Sequence, residues 1–257
     1  MTRSQKGFKV IHSIPKVPVK GGTPLIVFLT GSAGSIEPYV DNVVPMAQQL
    51  GWYSCCPENL NKGGFRWWGE AGFECIEAAI NEMLWQYPID STRKVLMGFS
   101  EGGRAVWDIG LNFPGLFKAL VPMAGATDVQ QLYWQKPGVQ GQMAELFGSV
   151  PACPHPTFAY QKQSARYRIT NPATVKVLVC VCHGSGDQQI INTGANDYRH
   201  SDAICGVQTW TDACSQGKPM KNLFTEGWDF IYLKTDVGHQ VDPQWFPALR
   251  EFLEAKV

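Results

Sequence analysis

The sequence predicts an α/β fold built on a mainly parallel central sheet with helices on both faces. Three observations carry that expectation. Apolar runs of strand length recur along the chain and alternate with segments of helical spacing. The run Pro24-Leu25-Ile26-Val27-Phe28-Leu29 is apolar at every position, as a strand covered on both faces requires. The chemically suggestive residues fall where such strands end, and in open parallel sheets the binding crevice lies beyond the carboxyl ends of the strands.

Taken in order, Phe8 to His12 alternates and suggests an N-terminal strand, and the Pro- and Gly-rich stretch Pro15 to Pro24 reads as a turn region. The strand Pro24 to Thr30 runs into Gly31-Ser32-Ala33-Gly34-Ser35. Helical spacing of Val44, Met46, Ala47 and Leu50 predicts a helix from Asp41, stopped by Gly51, and Trp52 to Pro57 resumes as strand. Asn59 to Trp68 is a loop. Ala71 to Tyr87 is the clearest helix, with Phe73, Ile76, Ala79, Ile80, Met83 and Leu84 in one apolar stripe, and Pro88 ends it. A strand to Gly98 follows, then a helix from about Gly102 to Asn112, closed by Pro114. Ala119 to Ala124, Val175 to Cys182 and Asp229 to Thr235 read as further strands, and Pro243 to Lys256 as a closing amphipathic helix. Gln130 to Thr174 is irregular and Gln188 to Gly227 is polar. The expectation is a single domain over 1–257, with a lid-like insertion at 130–174 and an extended loop at 188–227.

Composition excludes several classes. Hydrophobic residues make up 44% of the 257, too many for a disordered chain. Lys+Arg and Asp+Glu balance at 22 each, which leaves no electrostatic footprint for nucleic acid. The first residues lack the apolar core of a signal peptide, and the longest apolar run is too short to span a bilayer. A soluble, cytoplasmic protein without a membrane span is expected. Cys180 and Cys182 share one face of a strand and act as small hydrophobes; adjacent Cys55 and Cys56 face opposite sides of another. Cys180-Val181-Cys182-His183 has neither haem nor zinc spacing, so no metal or other cofactor is expected. Cys205 and Cys214 lie in one polar segment and are the one pair considered for a disulfide. The sequence says nothing about oligomeric state.

The organising stretch is Lys94-Val95-Leu96-Met97-Gly98-Phe99-Ser100-Glu101-Gly102-Gly103: an apolar strand running into Gly-x-Ser-x-Gly and then a helix. That context defines a nucleophile elbow, a turn so tight that the serine hydroxyl stands above the end of the sheet. Asp187 follows the strand Val175–Cys182 and His239 follows the last strand, giving the order Ser…Asp…His. A serine hydroxyl needs a base: His239 takes its proton, and Asp187 holds the imidazole tautomer. Two backbone N–H groups would stabilise the oxyanion, one from Glu101 and one from Ser32, with Ala33 next in line and in contact with substrate. Asp128 also ends a strand and rivals Asp187. His183 and His200 rival His239, the first read as a buried structural residue and the second as exposed. Trp67, Trp68 and Trp134 are candidates to line a substrate pocket, with ordinary packing as the competing account.

These residues resemble the dienelactone-hydrolase-like and prolyl-oligopeptidase-like esterases of the α/β-hydrolase superfamily, which include feruloyl esterases, polyhydroxybutyrate-depolymerase-like enzymes and carboxylesterases. The likeness is carried by Tyr87-Pro88-Ile89-Asp90, Arg93-Lys94-Val95, Gly98 to Gly103, Phe113 to Ala119, Val121 to Gly125, His183-Gly184 with Asp187, and Gly238-His239. It implies an α/β-hydrolase fold and a Ser100–His239–Asp187 triad. Thr30-Gly31 stands where the family usually has His-Gly, and the segment from Asp187 to His239 is longer than usual. A serine at position 100 argues against dienelactone hydrolase activity proper. The expected activity is hydrolysis of a small carboxylic ester. The same triad would also serve a thioesterase or a peptidase. A non-catalytic hydrolase-fold receptor is the alternative from another class.

Overall fold

In the computed structural model, the residues described are 2–3, 9–19, 22–58, 67–127, 129, 132–133, 137–148, 158–169, 177–184, 186–187, 189 and 229–257. They form one eight-stranded sheet. Its strands are β1 (Thr2–Arg3), β2 (Lys9–Ser13), β3 (Thr23–Leu29), β4 (Tyr53–Pro57), β5 (Ile89–Phe99), β6 (Ala119–Met123), β7 (Leu178–Gly184) and β8 (Phe230–Thr235). The spatial order is β1-β2-β4-β3-β5-β6-β7-β8. From β4 to β8 every neighbouring pair is parallel, whereas β1 on β2 and β2 on β4 are antiparallel. The mainly parallel sheet is therefore as expected, with an antiparallel edge added at the N-terminus.

The helices are α1 (Val44–Leu50), α2 (Gly69–Gln86), α3 (Glu101–Asn112), α4 (Gln140–Phe147), α5 (Phe158–Gln163), α6 (Ala165–Ile169) and α7 (Trp245–Lys256). A short π-helical stretch, Tyr39–Val43, leads into α1. Gly51 closes α1 at φ 69°, a left-handed position that a Cβ would strain. Its amide donates back to Ala47 and Gln48.

Period two in the strands sorts the core into two layers. Ile26, Phe28, Val95, Met97, Val121, Cys180 and Cys182 pack with Ala47, Leu50, Trp245 and Leu249, under α1 and α7. Leu25, Val27, Leu29, Leu96 and Leu120 face the other way, against Ile76, Ala79 and Met83 of α2 and Val106 and Ile109 of α3. Every residue of β3 is buried, which explains its unbroken apolar run. Each fully buried aliphatic side chain of this kind contributes about 1.5–3 kcal/mol. Cys55 falls in one layer and Cys56 in the other, as their adjacency requires. The described parts of 130–174 add a smaller apolar cluster, in which Tyr133, Met143 and Tyr160 gather around Trp68. No helix among the described residues is long and apolar enough to cross a membrane. The possible partners Cys205 and Cys214 lie outside the described residues.

Because the central strands are parallel, β3, β5, β7 and β8 all end on the same edge of the sheet. Ser100 follows β5, Asp187 follows β7 by three residues, and His239 follows β8 by four. The loop Thr30–Ser35 follows β3 at that edge.

Candidate active site

Ser100 adopts φ 56° and ψ −114°, one of two non-glycine residues described with positive φ. Such a conformation costs on the order of 1–3 kcal/mol and persists only where the surroundings impose it. Here they do. The Ser100 amide donates to Met123 O at 2.8 Å, and its carbonyl accepts from Arg104 N at 3.0 Å, which starts α3. A Cβ on Gly98 would stand 2.6 Å from Gly102 O, and one on Gly102 would stand 2.2 Å from Leu29 O. Only glycines allow strand, turn and helix to close this tightly.

Asp187 and His239 are held by loops that bind one another. Gly186 N donates to Val237 O at 2.9 Å, and a Cβ on Gly184 would meet that same oxygen at 2.3 Å. The loop after β7 therefore lies on the loop after β8. Across this junction His239 Nδ1 is 2.8 Å from Asp187 Oδ2, and His239 Nε2 is 2.8 Å from Ser100 Oγ. An ionised carboxylate only accepts, so Nδ1 carries the proton in the neutral ring, and Nε2 is left to accept from the Ser100 hydroxyl. The Phe99 ring lies 5.0 Å from the imidazole, centre to centre, and walls one side of it.

Asp187 is fully buried. Gln189 N donates to its Oδ1 at 2.8 Å. His183, also fully buried, places Nε2 3.1 Å from Oδ2, the same oxygen that His239 addresses. His183 is buried, as its position before a glycine suggested, and it lies against the acid of the candidate site. Asp128 and His200, the rivals for acid and base, lie outside the described residues.

A cavity of about 860 Å³ opens over Ser100. Gly31, Ser32 and Ala33 form part of its wall, together with Phe99, Gln189 and His239. Gly31 runs so near the elbow that a Cβ on it would lie 3.3 Å from Ser100 Cβ. The Ser32–Ala33 loop and the first amide of α3, that of Glu101, thus flank the serine. An amide in the first turn of a helix has no partner within that helix.

Trp67 and Trp68 are packed elsewhere than the pocket for which they were candidates. Trp67 and Trp68 are buried, and neither lines this cavity. Trp67 Nε1 donates to Thr30 O at 2.7 Å and Trp67 N donates to Glu101 Oε1 at 3.2 Å, so this residue ties the loop after β3 to the start of α3. Trp68 lies under the Arg104 guanidinium. Trp134 is outside the described residues. None of the described residues of 130–174 lines the cavity.

Sequence reasoning missed a buried ionic cluster beneath the elbow. Arg104 reaches Glu101 Oε1 at 3.3 Å and Asp108 Oδ2 at 3.4 Å. Burial pushes the Glu101 carboxyl up to about 7, against the pull of Arg104 and the Trp67 amide. Burial likewise raises Asp108, with Arg104 opposing it. The spacing of these charges along a helix was visible in the sequence; their burial was not.

The fold defines the class as an α/β-hydrolase, and the comparisons place it among the serine hydrolases. The model of the prolyl oligopeptidase family matches residues 58–198, more than half of the chain, and the chain belongs to that family. Among solved structures, uncomplexed Pyrococcus horikoshii acylaminoacyl peptidase aligns with a TM-score of 0.65 at 19% identity, over 97% of this chain and 39% of that one. The chain therefore spans about two fifths of that peptidase's length. An S-formylglutathione hydrolase from Agrobacterium tumefaciens aligns with a TM-score of 0.61 at 13% identity, over 97% of this chain and 90% of the other. Esterase PE8 aligns at 0.58 and 14%, over 97% and 99%. Identities this low speak to the fold alone. Among curated proteins, none matches the sequence.

Proposed function

We propose that the chain hydrolyses carboxylic esters through an acyl-enzyme on Ser100. The observation that carries this reading is the pair of contacts at 2.8 Å that joins Ser100 Oγ to His239 Nε2 and His239 Nδ1 to Asp187. In the first step Ser100 Oγ bonds to the ester carbonyl carbon while His239 Nε2 takes the hydroxyl proton. The negative oxygen of the tetrahedral intermediate is stabilised by the Ser32 and Glu101 amides. Collapse breaks the bond to the alcohol oxygen, and His239 returns its proton to that leaving group. Water, deprotonated by His239, then attacks the acyl-enzyme and regenerates the Ser100 hydroxyl. Asp187 holds Nδ1–H throughout and stabilises the imidazolium that forms twice per cycle. Ala33, beside Ser32, contacts the bound substrate.

An ester is the substrate class suggested by two proteins of the same fold, esterase PE8 and the S-formylglutathione hydrolase. The alternative, cleavage of an acylated peptide, draws on the family match. A panel with one acyl group presented as p-nitrophenyl ester, thioester and p-nitroanilide separates the two. The ester is expected to turn over fastest, with Ser100→Ala losing roughly six orders of magnitude in kcat. An anilide hydrolysed as fast as the ester would replace esterase with peptidase.

A further inference from the structure

We propose that His183 is a positioning residue, the group that holds Asp187 in line with His239 and sets how strongly that carboxylate draws the proton on His239. The proposal rests on the triad reading above. Asp187 belongs to a turn beyond the end of β7, whereas His183 is the penultimate residue of β7 itself. Strand pairing fixes His183 against Lys234 of β8, and its ring has no exposed surface. The side chain of an aspartate turns about two torsions, and one bond to His239 would leave it able to rotate with that ring. Gln189 N, which donates to Oδ1, belongs to the same turn as Asp187; His183, 3.1 Å from Oδ2, is the donor anchored in the sheet, and it ties the carboxylate to β7.

The same contact acts on charge. Among the described residues, His183 from β7 and His239 from the loop after β8 are titratable groups hydrogen-bonded to Asp187. Since the carboxylate accepts, His183 Nε2 carries a proton directed at Oδ2. With Gln189 N on Oδ1, three N–H groups among the described residues share the negative charge. Each donor to the carboxylate weakens its hold on the imidazolium. Without His183 that hold tightens.

The test compares two amide variants. The Gln amide reaches the position of Nε2, and the Asn amide does not. His183→Asn is expected to lower kcat about 10–100-fold, by analogy with the loss on removing hydrogen-bond partners of metal-binding histidines. It should also move the acid limb of the kcat/KM profile to higher pH. His183→Gln is expected to restore both within about threefold of the parent, as a hydrogen bond to charge is regained. An Asn variant with the parent's kcat and acid limb overturns the proposal. So do two variants equally slow with unmoved limbs, which is the behaviour of a packing defect. A parent protein that hydrolyses no ester overturns the triad reading and this inference together; an active parent with an indifferent Asn variant overturns this inference alone.

Discussion

The guanidinium carbon of Arg104 sits 3.8 Å from the ring centre of Trp68. With Glu101 and Asp108 on its other sides, this contact holds a cation in the interior one turn beyond Ser100. Removing one member of a buried ionic set leaves the rest uncompensated, at a cost of about 3–5 kcal/mol. Arg104→Met should lower the urea-unfolding free energy by that amount. A loss below about 1 kcal/mol, the size of an exposed pair, would mean that the cluster is solvated.

Glu101 makes stability fall as pH rises. Its carboxyl is pushed from 4.5 up to about 7 in the fold, first by burial. Between those values the native state holds a proton that the unfolded chain has released. The stabilisation is complete below about 4.5 and is lost as pH climbs to about 7. Glu101→Gln cannot titrate, and it retains the amide assigned to the oxyanion. Thermal melts at pH 5 and pH 8 should show the variant gaining on the parent at the higher pH. Parallel behaviour would contradict the raised value.

Close approach, not glycine content, governs which glycines matter. Gly102→Ala would drive a methyl group to 2.2 Å from Leu29 O, a backbone atom that cannot swing aside. A penalty of about 1–3 kcal/mol or more is expected from such overpacking. No described residue lies within 4 Å of where a Cβ on Gly238, beside His239, would stand. Gly238→Ala should stay within about 0.5 kcal/mol of the parent. Melting temperatures of the two variants decide the matter, and a reversed order would contradict the packing at the elbow.

Much of this architecture was readable in the sequence because it is local. The unbroken apolar run of β3 announced burial on both faces, and the strand–glycine–serine–glycine–helix order of β5 and α3 announced a tight turn. Asp187 and His239 could be singled out as candidates because each stands just past a strand. What escaped depends on contacts distant in sequence. Nothing in Lys9–Ser13 states that it pairs antiparallel with Tyr53–Pro57 rather than joining the parallel set. Trp67 and Trp68 look the same whether they line a pocket or brace a helix; the partners Thr30 and Arg104 decide. Helices α4 to α6 are short, and their apolar residues form no full stripe, so 130–174 read as irregular. Glu101, Arg104 and Asp108 have the spacing of ordinary surface pairs, and only the packing above them makes them a buried cluster.

The most direct test of acyl transfer from Ser100 is covalent labelling by a fluorophosphonate, read by intact mass and peptide mapping. The contact of 2.8 Å between Ser100 Oγ and His239 Nε2 predicts one adduct per chain, on Ser100, that disappears in Ser100→Ala. A folded protein that takes up no label, or takes it up on another residue, would contradict the assignment of Ser100 as the nucleophile.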